Sequence, residues 1–130
     1  MRGDGTVQED DMKIAVTARG PDLDSEVDPR FGRAKYILIA DEQGNLLEAI
    51  DNSENVNAMR GAGIQAAKTL ADKKVDVLMT GFCGPNAFKS LKAAGVKVVA
   101  DQTGTVRDAL TRFAKGETTY ADNPNAEAHW

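Results

Sequence analysis

Four arginines supply the chemistry this sequence most readily offers. Arg19, Arg30, Arg33 and Arg60 all fall on polar, glycine-containing stretches of an otherwise acidic chain. A guanidinium keeps its charge when partly desolvated and donates several N–H bonds in a fixed fork, so its natural partner is an anion. Three segments bring glycine alongside: Arg30-Phe31-Gly32-Arg33-Ala34, Arg60-Gly61-Ala62-Gly63-Ile64 and Gly81-Phe82-Cys83-Gly84-Pro85-Asn86. Glycine lets the main chain approach a ligand closely, and helix N-termini opened by such segments attract negative charge. The plainer alternative is that these glycines serve tight turns, and that Arg19 and Arg30 pair with Asp22, Asp24, Glu26 or Asp28. Arg33 and Arg60, each beside a glycine, are the better candidates.

Metal ligation through side chains is poorly provided for. Cys83 is the only cysteine and His129, next to the last residue, the only histidine. A thiolate-held iron-sulfur cluster takes about four cysteines and a structural zinc about four Cys or His ligands, so one chain supplies neither set. Cys83 lies between an expected strand end and a helix start, where a lowered thiol pKa would favour ligand contact. As a lone cysteine it equally suits a small buried apolar role. Met59 and Met79 are soft thioethers in principle, but Met79 reads as core strand and Met59 as loop packing. Asp41, Asp51, Asp76 and Asp101 fall at strand ends, and a two-metal hydrolase would need such carboxylates gathered; Asp76 opens its strand whereas Asp41 and Asp51 close theirs. Gly61-Ala62-Gly63 follows a loop without a third glycine, and no Gly-Lys-Ser/Thr occurs, so no nucleotide site is expected.

These segments need a scaffold, and the hydrophobic pattern supplies one. Strands are expected at Lys13–Thr17, Lys35–Asp41, Leu46–Ile50, Val75–Met79 and Val96–Ala100, the second and third joined as a hairpin through Glu42-Gln43-Gly44-Asn45. Helices are expected at Gly61–Lys73, on the spacing of Ile64, Ala67, Leu70 and Ala71; at Asn86–Ala94, with Phe88 and Leu91 one turn apart; and from Thr105 to Gly116. Thr105 and Asp108 have capping-box spacing, with Asp in place of the usual Glu. Alternating helix and strand after a hairpin predicts a mixed five-stranded sheet in a three-layer α/β/α sandwich. Ligands of such sheets gather beyond the carboxyl ends of the strands, where the three glycine segments would lie.

Length and charge narrow the class further. A chain of 130 residues suits one domain, here residues 12–116. Residues 1–11 read as a flexible extension and 117–130 as a polar, mobile tail. A net charge of −4 argues against a nucleic-acid or anionic-membrane coat. No apolar run of about eighteen residues is present, and a single cysteine suits a reducing cytoplasm. A monomer is plausible for this size.

The stretches Met12-Lys-Ile-Ala-Val16, Arg30-Phe-Gly-Arg-Ala34, Gly61-Ala-Gly-Ile-Gln-Ala-Ala67, Val75-Asp-Val-Leu-Met-Thr-Gly81, Gly84-Pro-Asn-Ala-Phe88 and Gly104-Thr-Val-Arg107 together resemble the dinitrogenase iron-molybdenum cofactor biosynthesis family. The resemblance spans Met12 to about Gly116. It implies a ribonuclease-H-like fold and a binding or carrier role without catalysis. The cargo it implies is an anionic molybdenum-sulfur cluster held non-covalently; the short single-domain form points to a mixed molybdenum-copper sulfide. Carriage of iron-molybdenum cofactor precursors, or a regulatory module read by a partner protein, are the alternatives. Arg33, Arg60, Gly61, Gly63, Gly84, Pro85 and Asn86 would form the pocket, Phe31 and Phe82 would limit water access, and Arg30, Arg19 and Cys83 would assist. Many members of that family carry His at the position of Arg30 and Gly at that of Arg60. Two added positive charges favour a preassembled anion over a metal ion bound through imidazole.

Overall fold

A computed structural model describes residues 12–53 and 61–125. The expected extension 1–11 lies outside them, as do Met59, Arg60 and His129. Among the described residues the chain runs β1 (Ile14–Ala18), β2 (Tyr36–Ala40), β3 (Leu46–Asp51), α1 (Ala62–Asp72), β4 (Val77–Met79), α2 (Pro85–Ala93), β5 (Lys97–Val99) and α3 (Val106–Ala114). Every expected element is present, its ends moved by one or two residues.

The five strands form one sheet in the order β3-β2-β1-β4-β5. β1 pairs antiparallel with β2 and parallel with β4, β5 pairs parallel with β4, and β3 pairs antiparallel with β2. Four strands therefore point the same way, and β1, β3, β4 and β5 present their carboxyl ends at one edge. The expected turn between β2 and β3 is organised by Asp41, one residue earlier than the turn sequence suggests. Its carboxylate accepts the Gln43 and Asn45 N–H groups at 3.0 and 2.9 Å, and Gly44 takes the left-handed conformation the turn requires.

Strand residues alternate between two cores. Ala15, Ile37, Ile39, Leu78 and Val98 face α1 and α2, meeting Ala66, Ala67, Leu70, Ala87 and Leu91. Ile14, Val16, Leu38, Val77, Met79 and Val99 face the other side and meet Val106, Ala109 and Leu110 of α3. This is the α/β/α sandwich expected, with both faces of the central strands covered, which is why β1 and most of β2 are continuous buried runs. Each fully buried Leu or Ile contributes about 1.5–3 kcal/mol, enough for the sheet to carry loops that bury little themselves.

One departure concerns α1. Ile64, counted on its apolar face, is 45% exposed, and the buried face is instead Ala62, Gly63, Ala66, Ala67 and Leu70. Small residues are needed there because α1 and α2 pack closely at their starts. Beyond α3, the Ala121 N–H donates to the Val98 carbonyl at 2.7 Å, and the Lys97 ammonium lies 5.1 Å from the Tyr120 ring centroid. The polar segment after Gly116 is thus held against β5 at Tyr120 and Ala121. No helix among the described residues is long and apolar enough to cross a membrane.

Candidate functional site

The loops at the carboxyl edge are fastened to one another through main-chain contacts made possible by three glycines. A Cβ on Gly81 would lie 2.7 Å from the Cα of Pro29, and beside that contact the Phe82 N–H donates to the Pro29 carbonyl at 2.6 Å. The Phe31 N–H in turn donates to the Phe82 carbonyl at 3.1 Å, pairing Arg30 with Phe82 as a parallel bridge. Gly32, with φ near +92°, comes so close to α1 that its Cβ would meet both Cα and N of Gly63 at 2.7 Å. A Cβ on Gly63 would stand 2.8 Å from that of Ala87 in the first turn of α2. Since Ala87 follows Gly84 within one turn, the contacts close a ring: the β4–α2 loop, residues 29–33, the start of α1 and the start of α2. Gly32 serves a tight turn, its φ near +92° accompanying an Arg33 N–H to Arg30 carbonyl bond at 3.3 Å, and Gly32, Gly63 and Gly81 all let one segment touch the next.

Two helix starts open onto this ring. Gly61 caps α1 in the left-handed conformation and Gly84 caps α2 in an extended one; neither has a side chain to accept from the first-turn N–H groups, and neither first turn carries an acid. Pro85 at the first position of α2 removes an N–H that no helical carbonyl could have taken. α3 is built the opposite way. Its Thr105–Asp108 capping box is formed, and its Val106 and Arg107 N–H groups donate to the Ser25 and Leu23 carbonyls at 2.9 and 2.8 Å. The positive ends of α1 and α2 thus carry neither an N-cap side-chain bond nor a first-turn acid, and that of α3 carries both.

The side chains sort accordingly. Arg30 and Asn86 are exposed at the ring, Arg33 is half-buried and Phe82 is 36% exposed. Ile64 in the first turn of α1 is a further apolar group at this edge, missed because its spacing suited a core position. Three expected site residues are not where they were placed. Phe31, only 2% exposed, belongs to the core beneath the ring and lines nothing. Arg19 leans on Glu26 at 4.0 Å, on a stretch bridged to Thr105 of α3, so the structure does not join it to the others. Cys83 is buried in the α1/α2 core, and burial pushes its thiol up to about 12, opposite to the lowering that ligand contact requires. Among the described residues its Sγ reaches the Gly84 carbonyl, at 3.8 Å.

Two buried polar groups support the ring from below. Asn52 donates from its side-chain amide to the Gly32 and Ala34 carbonyls at 3.3 and 2.9 Å. Thr17 donates to the Asp28 carbonyl at 2.7 Å and lies 2.8 Å from the Thr80 hydroxyl. With the Thr17 proton committed to Asp28, Thr80 is the donor between them. Neither Asn52 nor the threonine pair announces itself in sequence, since isolated polar residues beside strands are usually solvated.

The carboxylates do not assemble into a hydrolytic centre. Asp76 accepts the Lys13 N–H at the amino end of β1, and Asp41 sits in the β2–β3 turn; both are at the edge opposite Asp51 and Asp101. Among the described residues no three His, Cys, Asp or Glu side chains come together as a metal site.

Known proteins share this frame. The apo form of the orange protein from Desulfovibrio gigas is 46% identical, covering 88% of this chain and 97% of its own, with a TM-score of 0.85. A Thermotoga protein provisionally described as NifB and placed in the DUF35 family is 37% identical, covering 89% and 98%, with a TM-score of 0.76. An uncharacterized protein of Methanocaldococcus jannaschii is 28% identical over 109 residues, 82% of this chain and 88% of its own. Residues 12–116, nearly the whole described structure, match the family described as dinitrogenase iron-molybdenum cofactor, and the chain belongs to that family.

Proposed function

We propose that this protein binds and carries an anionic metal-sulfur cluster non-covalently, at the ring formed by the starts of α1 and α2. The observation that carries the reading is the contrast between helix ends: α1 and α2 lack side-chain caps and acids where they meet arginine-bearing segments, while α3 is fully capped. Helix dipoles without first-turn acids and guanidinium forks together suit a polyanion whose own sulfur atoms already satisfy its metals. Arg30, Arg33 and Arg60 supply charge, Gly61, Gly84, Pro85 and Asn86 supply main-chain and amide contacts, and Phe82 with Ile64 limits water. Cys83 stays a core residue, so no metal-thiolate bond is involved. The chain acts as a binder and not as a catalyst.

The cargo we favour is a mixed molybdenum-copper sulfide, supported by the likeness to the orange protein; an iron-molybdenum cofactor precursor is the second reading, supported by the family. The test is visible absorption and metal analysis after incubation with tetrathiomolybdate and copper. Molybdenum and copper co-eluting in fixed ratio, with visible bands lost in Arg33→Ala/Arg60→Ala protein of unchanged circular dichroism, is the expected result. A protein that stays colourless and takes up neither metal would sink the molybdenum-copper assignment.

A further inference from the structure

One residue of the segment after 116, beyond the stretch that defines the family, reaches back into the ring. Asn125 has both ends of its side-chain amide and its main-chain N–H engaged. The side-chain oxygen accepts the Cys83 N–H at 2.8 Å. The side-chain nitrogen donates to the Gly81 carbonyl at 2.9 Å and to Asp101 Oδ1 at 3.2 Å. The main-chain N–H donates to the Cys83 carbonyl at 3.1 Å. A carbonyl can only accept and an N–H only donate, so the amide has one permitted orientation. No other side chain of these dimensions meets all three demands.

Gly81, Phe82 and Cys83 form the side of the ring that leads into α2, and Asp101 begins the connection to α3. We infer that Asn125 is a positioning residue for the binding edge: beside the main-chain bond from the Asp101 N–H to the Gly81 carbonyl at 2.9 Å, it clamps the Gly81–Cys83 loop to Asp101 and helps to set where Phe82 and the start of α2 stand. The inference rests on the binding reading above and adds to it a second attachment, in which the C-terminal segment governs how firmly the ring is held. Aspartate at 125 would keep the shape but lose both donors and set a carboxylate against the Gly81 carbonyl and Asp101. Asp101 has φ near +61°, a conformation asparagine adopts at least as readily. Exchanging the pair as Asn125→Asp with Asp101→Asn would therefore restore one of the two lost contacts.

The single cysteine makes the test direct, since any thiol modification reports on this loop. Asn125→Asp is expected to speed reaction of Cys83 with a thiol reagent about tenfold and to weaken uptake of tetrathiomolybdate with copper by a similar factor. The exchanged double variant should recover part of both. Urea unfolding identifies any variant that is not folded, in which case Asn125→Ala, adding no charge, takes its place. Unchanged Cys83 reactivity, or faster reactivity with unaltered uptake, overturns the inference. Wild-type protein that takes up no metal overturns the cluster reading instead, and the Cys83 rates then decide whether Asn125 holds the loop.

Discussion

The contact between Gly63 and Ala87 can be read as an energy. Adding a methyl group at Gly63 places two carbons 2.8 Å apart, where methyl groups rest at about 3.5–4.0 Å. The starts of α1 and α2 would have to separate by roughly 1 Å. Overpacking of this kind costs about 1–3 kcal/mol, and the gain from replacing a helical glycine returns at most about 1 kcal/mol. Gly63→Ala should therefore destabilise by about 1–2 kcal/mol. Ala87→Gly loses a buried methyl, about 0.8 kcal/mol, and about 1 kcal/mol of helix propensity, near 2 kcal/mol in all. Together the two changes move the methyl from one helix to the other and both terms largely cancel. The double variant should lie within about 1 kcal/mol of the wild type, a coupling of at least about 2 kcal/mol. Urea unfolding of the four proteins, fitted with a common slope, measures it. If the single effects simply add within about 0.5 kcal/mol, the close approach of the helices is not what glycine at 63 provides. Cluster uptake in Gly63→Ala alone should fall, because the two helix starts would no longer share one site.

Three further outcomes are expected. The Cys83 thiol is held near 12 in the fold against 9.0 for an exposed thiol. The unfolded chain therefore loses its proton first, and stability should be complete below about pH 9, then fall toward pH 12 by about 1.4 kcal/mol per pH unit. Chemical unfolding at stepped alkaline pH should show this slope in wild type and its loss in Cys83→Ala. Asn52→Ala leaves the buried Gly32 and Ala34 carbonyls without their donor; a loss of about 2–3 kcal/mol in urea unfolding is expected. Thr105→Ala removes the capping bond to the Asp108 N–H and should cost about 1 kcal/mol, with cluster uptake unchanged because α3 is not part of the ring.

Much of this architecture was legible because periodic apolar runs report directly on sheet and helix burial. Tyr36 to Ile39 form the unbroken apolar run that a strand covered on both faces requires, and Thr105 with Asp108 has capping-box spacing although Asp is one methylene shorter than Glu. What escaped did so for definite physical reasons. Helical spacing turns apolar side chains inward, yet at the start of α1 the close partners are Gly32 and Ala87, so Gly63 and Ala66 face in and Ile64 faces out. Phe31 neighbours the candidate arginines in sequence, but its ring fills the core while their charges cannot. Cys83 sits at a strand end, where solvent access depends on what covers it, and local sequence carries no record of the cover. Asn125 acts across more than forty residues of separation on Cys83 and Gly81, a distance over which no spacing rule operates.

The bracing of the ring also bears on how a ligand would arrive. Ordering a loop costs roughly 1–2 kcal/mol per residue in backbone entropy. Here residues 29–33 and 81–84 are already pinned by main-chain hydrogen bonds and glycine contacts, so that loss was taken at folding. An incoming polyanion meets a surface whose shape is set in advance. Its capture should be governed by diffusion and by long-range attraction to the arginines, with rates that slow as ionic strength rises, and without a slow rearrangement step after contact.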